Sequence, residues 1–275
     1  MTILQAIILG IVQGLTEFIP ISSSAHLVLV RWLFAWPRGP EAFAFDVLVQ
    51  VGTLAAVVTY FGRDLVGMAR HVLAGLLGGR PLGTPEARLG WWVAVATVPA
   101  VVLGVLLKDF FEGTFADAGW TAVQLILNGA LLFVGERLAR RWQRQRTVDS
   151  LNVTDAGVIG LAQAAAILPG ISRSGATISG ALWRGLERPA AARFSFLMSV
   201  PVMLGAGLVA AADLFDLPSF GAYMLPIAVG FVAAAVVGYF CIRWLLGYLS
   251  RHSMDAFAAY CVVAGVLCLV VAAVR

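Results

Sequence analysis

Charged side chains are scarce in this chain of 275 residues, since only 12% are Asp, Glu, Lys or Arg while 60% are hydrophobic. Soluble domains carry about 25% charged residues. The mean hydropathy of +0.90 agrees with this deficit. The composition therefore argues against a soluble protein, and we predict one integral membrane domain that spans residues 1–275.

Cysteine and N-terminal positive charge are also in short supply. Three cysteines lie in apolar runs, without the spacing of a metal site or a disulfide framework: Cys241, Cys261 and Cys268. The first positively charged side chain is Arg31, so we expect no cleavable signal peptide. The net charge of +4 follows from arginines in loops, and we expect no nucleic-acid partner.

Long apolar runs are abundant. Six are long enough to cross a hydrocarbon core of about 30 Å: 42–61, 89–107, 119–136, 194–214, 222–242 and 256–274. Residues 3–36 and 153–187 instead hold two shorter apolar pieces each, separated by a break rich in Pro, Gly and Ser. Broken backbone is tolerated at membrane depth only inside protein or beside a wet cavity. We predict an all-α polytopic membrane protein with six spanning helices and two re-entrant helical hairpins.

Arginines between the spans predict the orientation. They concentrate in 63–88, 137–152 and 243–255, which the positive-inside rule places in the cytoplasm. The same rule places the loops 108–118 and 213–220 outside, together with both termini.

The order of elements predicts an inverted repeat, approximately 1–140 and 150–275. Each half has one hairpin followed by three spans, and an odd number of spans reverses the second half. Four residues of the first hairpin have counterparts in the second: Gly10, Gln13, Pro20 and Ser22 match Gly160, Gln163, Pro169 and Ser172. The two hairpin tips are then expected to meet inside the bundle. Inverted repeats with broken helices are typical of secondary transporters, which raises a transport hypothesis.

The second tip, Gly170–Thr177, sets Arg173 among hydroxyls and glycines, a combination suited to binding an anion such as phosphate. The candidate substrate-binding residues are Ser22, Ser24, Gly170, Ser172, Ser174, Gly175 and Thr177. Asp46 and Gln50, one turn apart in the first span, are candidates for lining the same cavity, and Ser195 is a weaker one.

The first tip, Gln13–His26, supplies acid–base and metal chemistry. Glu17 is the best candidate for a general base or for a ligand of a divalent cation, Mg²⁺ or Ca²⁺. Gln13 lies one helical turn earlier on the same face and could add its amide oxygen. His26 follows Ser23 by three residues, and could activate a serine, attack phosphorus itself or protonate a leaving group. The residues alone do not choose among these roles.

Two segments carry a family resemblance: Gln13–His26 and Pro169–Ile178 resemble the signature segments of the bacterial undecaprenyl-diphosphate phosphatase family, also known as the bacitracin-resistance protein family. The likeness extends over nearly the whole chain, including Phe45–Gly52 and Phe194–Pro201. It implies an inner-membrane enzyme that hydrolyses undecaprenyl diphosphate to undecaprenyl phosphate and inorganic phosphate at the outer face. That reaction recycles the lipid carrier of cell-wall synthesis and would confer bacitracin resistance.

The resemblance also implies a divalent cation and a set of functional residues, which are Glu17, Ser23, His26, Ser172, Arg173, Ser174 and Thr177. The sequence departs from the family pattern at Gln13, where many relatives have a glutamate, and at Ser24-Ala25, where Thr-Gly is common. A polyprenyl-phosphate flippase that uses the same anion pocket is the rival hypothesis. The oligomeric state, with a homodimer among the options, and the preferred lipid chain length are left open.

Overall fold

The computed structural model of the chain describes residues 1–106, 118–141, 146–168, 170–215 and 220–274, and these residues form helices without strands. The α-helices in chain order are α1 (Ile3–Thr16), α2 (Ser23–Leu33), α3 (Pro40–Tyr60), α4 (Gly62–Leu77), α5 (Pro85–Leu106), α6 (Ala118–Ala139), α7 (Val153–Ala165), α8 (Arg173–Trp183), α9 (Arg188–Phe215), α10 (Phe220–Leu249) and α11 (Asp255–Val274). Most of the predicted outer loop 108–118, and residues 216–219 of the loop 213–220, lie outside the described residues.

Six of these helices are long and apolar enough to cross a membrane, namely α3, α5, α6, α9, α10 and α11. Each overlaps one of the six predicted spans. The chain is therefore a multi-pass membrane protein, as its composition indicates.

The two predicted hairpins appear as two pairs of short helices, α1–α2 and α7–α8, with breaks at 17–22 and 166–172. Capping boxes start α1 at Thr2 and α7 at Asn152, which satisfies N–H groups of each first turn. With 14 residues α1 is about 21 Å long, too short to cross a core of about 30 Å. The prediction of broken helical pairs is confirmed, whereas their re-entry into the membrane stays a prediction.

Glycines allow each hairpin to pack closely on a span from the other half. Helix α1 packs on α10, and α7 packs on α5. A Cβ atom at Gly10 would lie 2.5 Å from the Gly230 carbonyl oxygen, and one at Gly160 would lie 2.6 Å from the Ala96 carbonyl oxygen. An inverted repeat predicts this reciprocal exchange between the halves, although the inverted topology itself stays a prediction.

Helix α4 is not among the predicted helices, because the arginines of 63–88 indicate a loop between two spans. It follows α3 directly and packs on α5. Its outer surface carries Val66, Leu73 and Leu77, which are 50%, 59% and 81% exposed, alongside Arg70. An amphipathic helix of this kind has too little continuous hydrophobicity to be recognised as a span.

Ion pairs join helix ends on the arginine-rich side. The buried carboxylate of Asp155 accepts hydrogen bonds from Arg146 (2.6 Å) and Arg184 (2.7 Å). Burial acts to raise the pKa of Asp155, but the hydrogen bonds from both guanidiniums outweigh it and hold the pKa below its usual value. Glu136, fully buried at the end of α6, is similarly paired with Arg188. Arg146, which lies in one of the stretches that predict the orientation, thus also helps to hold helix ends together.

Candidate active site

The tips of the two hairpins meet through an ion pair. Glu17 is the C-cap of α1 and Arg173 is the first residue of α8. An Arg173 guanidinium nitrogen lies 2.5 Å from Glu17 Oε1. Glu17 is 5% exposed, so the pair is largely removed from solvent. The expected meeting of the tips is confirmed, and it joins residues 156 positions apart in the chain.

The second carboxylate oxygen of Glu17 organises the first tip. Its Oε2 accepts a hydrogen bond from the Ser23 hydroxyl at 2.6 Å and from the Gln13 side-chain amide at 2.9 Å. A serine hydroxyl that donates to an ionised carboxylate is arranged as a nucleophile beside its base. Gln13 and Glu17 share one helix face as predicted, but Gln13 presents its amide nitrogen to the carboxylate in this state.

The backbone at Ser22 turns the chain so that Ser23 reaches Glu17. Ser22 has φ 71° and ψ 100°, a conformation that residues other than glycine rarely adopt. Its hydroxyl caps α2 by accepting from the Ala25 N–H at 3.4 Å. Strain of this kind costs about 1–3 kcal/mol and persists only where surrounding contacts hold it in place.

Phe18 anchors the first tip in the hydrophobic core. Its ring is fully buried and meets Phe196 of α9 edge to face, with 5.2 Å between centroids. The close neighbour on α10 is Gly238, where a Cβ would lie 3.1 Å from the Phe18 ring. Since Phe18 directly follows Glu17, this packing fixes the direction from which the carboxylate enters the site.

Asn128, in the middle of α6, connects the two tips and was missed by the sequence analysis. Its side-chain nitrogen donates to the Pro20 carbonyl at 2.9 Å, and its oxygen accepts from the Ser172 N–H at 2.9 Å. These partners fix the orientation of the amide, because a carbonyl only accepts and an N–H only donates. The available signal was an amide side chain inside an apolar span, one helical turn after Gln124.

A cavity of about 340 Å³ opens beside the Glu17–Arg173 pair. Its polar lining comprises Gln13, Glu17, Ser22, Ser23, Ser24, Asp46, Gln50, Gln163, Ser172 and Arg173. Its apolar lining comes from Leu27, Val28, Phe43, Val47, Ala100, Gly104, Ala166, Ile167, Ile171, Val202, Met203 and Ala206. A lining that combines polar groups with a larger apolar surface suits a ligand that has a charged head and a hydrocarbon chain.

Three spanning helices, α3, α5 and α9, line this cavity, and each does so with residues from only one half of its length. The lining residues lie in the first half of α3, the last half of α5 and the last half of α9. These halves are the ones far from the arginine-bearing ends at 63–88, 137–152 and 243–255. The cavity is therefore displaced toward the side of the molecule opposite those arginines.

Several residues of the second tip stabilise it from within. The Thr177 hydroxyl contacts the Ser195 hydroxyl at 2.6 Å, and Ser174 is fully buried beside Ser172 at 3.0 Å between hydroxyls. Gly175 donates its N–H to the Ser172 hydroxyl at 3.0 Å, which caps α8. Direct contact of Ser174, Gly175 and Thr177 with a substrate stays a prediction. The same holds for Ser195, whose hydroxyl is turned to Thr177.

Gly170 serves the close approach of the second tip to α6. It has φ +101°, and a Cβ there would lie 2.4 Å from the Gln124 Cβ. The Ser172 N–H is taken by Asn128 and the Gly175 N–H by the Ser172 hydroxyl. Two of the backbone donors expected to hold an anion are therefore occupied. Anion binding by the Arg173 guanidinium stays a prediction.

Asp46 and Gln50 line the cavity, as expected from their spacing on α3. Asp46 is also paired with Arg31 of α2, whose guanidinium contacts both carboxylate oxygens at 2.7 and 3.0 Å. Arg31 is only 4% exposed, and its position inside the protein was not anticipated from the sequence.

Neither Glu17 nor Ser23 is a hydrogen-bond partner of the His26 ring, whose two nitrogens have other partners. One ring nitrogen, Nδ1, lies 2.7 Å from the Ser22 carbonyl oxygen, and Nε2 lies 2.8 Å from the Tyr260 hydroxyl on α11. The predicted catalytic role of His26 is therefore not matched by a direct contact with the other predicted catalytic residues.

Among the residues that the structure describes, no three His, Cys, Asp or Glu side chains cluster to form a metal site. Glu17 is the carboxylate at the centre of the site, and the amide oxygen of Gln13 would become a second ligand if the amide turned. Mg²⁺ is commonly held by one or two carboxylates together with substrate phosphates. The residues therefore fit a divalent cation that arrives with, or is completed by, a phosphate ligand.

The fold and the cavity define an integral membrane protein with a candidate active site where two helical hairpins meet, and this site holds a carboxylate, a serine and an arginine. Residues 6–267 match the family described as bacitracin resistance protein BacA, and the chain belongs to this family. A relative from Chlorobaculum tepidum, named undecaprenyl-diphosphatase, is 45% identical over 97% of this chain and 95% of its own length. Relatives of the same name from Thermomicrobium roseum and Rubrobacter xylanophilus are 42% and 45% identical, over 98% and 94% of each chain.

Proposed function

We propose that this protein hydrolyses undecaprenyl diphosphate to undecaprenyl phosphate and inorganic phosphate, and so recycles the lipid carrier of cell-wall synthesis and confers bacitracin resistance. The relatives carry the name of this activity. The observation that carries the proposal is the Glu17 carboxylate, which accepts from the Ser23 hydroxyl on one oxygen and from Arg173 on the other. A nucleophile, a base and an anion-binding group thus face one cavity.

The contacts support a two-step reaction. Ser23 Oγ attacks the terminal phosphorus while Glu17 accepts the hydroxyl proton, and the bond from that phosphorus to the bridging oxygen breaks. Undecaprenyl phosphate leaves with the bridging oxygen, and Arg173 stabilises the charge on the transferred phosphoryl oxygens. Glu17 passes the proton from Ser23 to the departing phosphate, which restores its carboxylate. Glu17 then deprotonates a water molecule that attacks the phosphoserine, and it returns this proton to Ser23 Oγ as inorganic phosphate is released.

We further propose that Glu17, with the Gln13 amide oxygen, helps to hold a divalent cation, Mg²⁺ or Ca²⁺. The cavity pairs Arg173 with Glu17 and Arg31 with Asp46, so its charged groups nearly cancel. A diphosphate brings several negative charges into this partly desolvated space, where uncompensated charge is costly. A bound cation would neutralise phosphate oxygens and polarise the bond that breaks.

We propose that the protein lies in the bacterial inner membrane with the cavity open to the outer face. The support comes from the positions of the lining residues, in the halves of α3, α5 and α9 that are far from the arginine-rich ends. The positive-inside rule assigns those arginine-rich ends to the cytoplasm.

Phosphate release from undecaprenyl diphosphate by the purified protein in detergent tests this function. Ser23→Ala should lower kcat by roughly 10²-fold or more, because both the nucleophile and its contact with Glu17 are lost. Ser24→Ala is the matched comparison, since the Ser24 hydroxyl contacts Ser22 at 3.2 Å rather than Glu17, and its loss should be much smaller. Addition of a chelator should abolish release.

Equal losses in the two serine variants would contradict the assignment of Ser23 as nucleophile and would favour water activated by Glu17. A wild-type protein that stays folded and binds the lipid without releasing phosphate would contradict the hydrolase itself. That result would favour the polyprenyl-phosphate flippase.

A further inference from the structure

The mechanism above leaves His26 without a role, although it lies three residues after Ser23. We propose that His26 is a positioning residue, held by Tyr260 of α11, which fixes the strained backbone at Ser22 and thereby the placement of Ser23. The proposal rests on the proposed function, because the residue that it positions is the nucleophile of that reaction.

Hydrogen-bond chemistry assigns the protons on the His26 ring. The Ser22 carbonyl oxygen can only accept, so Nδ1, 2.7 Å away, carries a hydrogen. In the neutral ring Nε2 is then the acceptor, and the Tyr260 hydroxyl donates to it at 2.8 Å. Both ring nitrogens therefore have protein partners. A residue that transfers a proton to or from phosphate needs a nitrogen within reach of the phosphate.

Comparison with the other two histidines shows what is particular to His26. His71 and His252 also place Nδ1 against the carbonyl oxygen four residues earlier, Gly67 and Tyr248, at 2.8 and 3.2 Å. In those cases the contact belongs to a helix surface. For His26 the accepting residue has φ 71°, outside helical geometry, and the second nitrogen is bonded to a different helix.

Tyr260, which is 45% exposed, contacts the His26 ring with its own ring as well as with its hydroxyl. Its ring stacks on the His26 ring, with 5.7 Å between centroids and 11° between planes. The next residue, Cys261, receives a 3.3 Å contact from the Asn128 amide that also holds the Pro20 carbonyl. Adjacent residues of α11 thus support the first tip on both sides of Ser22, at Pro20 and at His26.

This arrangement explains how a strained serine can persist at the tip. The Ser22 carbonyl accepts from both the His26 backbone N–H at 3.2 Å and the His26 ring. If these contacts are lost, Ser22 can relax toward ordinary backbone geometry. The Ser23 hydroxyl now lies 2.6 Å from the Glu17 carboxylate. It would then move away from that carboxylate, because Ser23 directly follows Ser22. A shift of about 1 Å in a reacting group can lower a rate by about 10²-fold.

The first test separates a positioning role from acid–base catalysis. His26→Asn places an amide N–H near the position of Nδ1 and can still donate to Ser22, but it cannot exchange a proton. We expect His26→Asn to retain kcat within about tenfold of wild type and to leave the shape of the pH–rate profile unchanged. His26→Ala should lose about 10²-fold or more with little change in KM. His71→Asn makes the same substitution at the equivalent helix-surface contact, outside the cavity lining, and should leave kcat unchanged.

The second test uses Tyr260. Tyr260→Phe removes the hydroxyl but keeps the stacked ring, and we expect a several-fold fall in kcat with KM maintained. In a His71→Gln, His252→Gln background, ¹⁵N-labelled His26 is the single histidine, and its NMR shifts report the tautomer. The wild-type tyrosine should give an Nδ1–H tautomer, and Tyr260→Phe should shift the Nε2 resonance.

The proposal would be overturned if His26→Asn were as inactive as His26→Ala and if partly active variants lost one limb of the pH–rate profile. An Nε2–H tautomer in the unmutated Tyr260 protein would overturn it as well. These outcomes differ from failure of the proposed function, in which wild-type protein releases no phosphate while the NMR signature of His26 still reports the contact.

Discussion

At the scale of single residues, Glu17 determines what the site can do. Its carboxylate accepts from Arg173, Ser23 and Gln13, so it is held ionised and in one orientation before any substrate arrives. Removal of Arg173 would leave a buried carboxylate without its counter-charge, at a cost of about 3–5 kcal/mol. The activity and the stability of an Arg173→Ala protein must therefore be measured together. Arg173→Lys is the milder variant, because it keeps a positive charge beside Glu17.

Gln13→Glu is expected to make the enzyme more dependent on its cation. The substitution replaces the amide that donates to Glu17 at 2.9 Å by a second carboxylate on the same helix face. Two neighbouring carboxylates repel unless a cation or proton lies between them. We expect half-maximal activation at a lower Mg²⁺ concentration and lower turnover when the metal is scarce, measured by phosphate release across a metal titration.

Gln5→Glu is the matched control for that substitution. It adds the same charge to the same helix, in the capping box at the start of α1 and away from the cavity lining. Its metal titration should superimpose on that of wild type. A Gln13→Glu titration that also superimposes would contradict the proposal that this face of α1 holds the cation.

Site residues were predictable from the sequence where they are polar residues of a motif that interrupts an apolar segment. Glu17, Ser23 and Arg173 satisfy this condition, and the structure brings them together. Asn128 and Tyr260 do not, because they lie inside spans and outside both motifs, and they acquire their partners only through helix packing. The ring orientation of His26 was likewise inaccessible, since it depends on a residue 234 positions away.

At the scale of helices, length and hydropathy were sufficient to predict the six spans and the two broken pairs. Helix α4 was missed because a short amphipathic helix lacks an uninterrupted apolar run. The close pairing of α7 with α5 was not predicted either. It depends on Gly160, and a glycine in a sequence does not show which helix approaches it.

Gly160→Ala should separate α7 from α5 and lower stability by about 1–3 kcal/mol, since its new Cβ would lie 2.6 Å from the Ala96 carbonyl oxygen. Gly157→Ala, on the same helix, meets nothing within 4 Å and should stabilise the helix by about 0.5–1 kcal/mol. Thermal unfolding in detergent measures both. Equal stability of the two variants would show that α7 and α5 are not packed this closely.

At the scale of the whole molecule, the proposed orientation can be tested with single cysteines. Arg38 and Arg70 are both exposed, Arg38 near the start of α3 and Arg70 on α4 beyond the end of α3. In a background without Cys241, Cys261 and Cys268, Arg38→Cys should react with a membrane-impermeant maleimide on intact cells. Arg70→Cys should react only after the membrane is opened. The reverse pattern would place the cavity on the cytoplasmic side.

The size of the cavity has a consequence for how such an enzyme meets its substrate. A volume of about 340 Å³ accommodates a diphosphate and the first part of a prenyl chain, but not a whole undecaprenyl group. The remaining chain must stay among the lipids while the head group reacts. The concentration that governs turnover is then the mole fraction of substrate in the bilayer or micelle. Addition of inert detergent at constant total substrate should slow the enzyme by surface dilution alone.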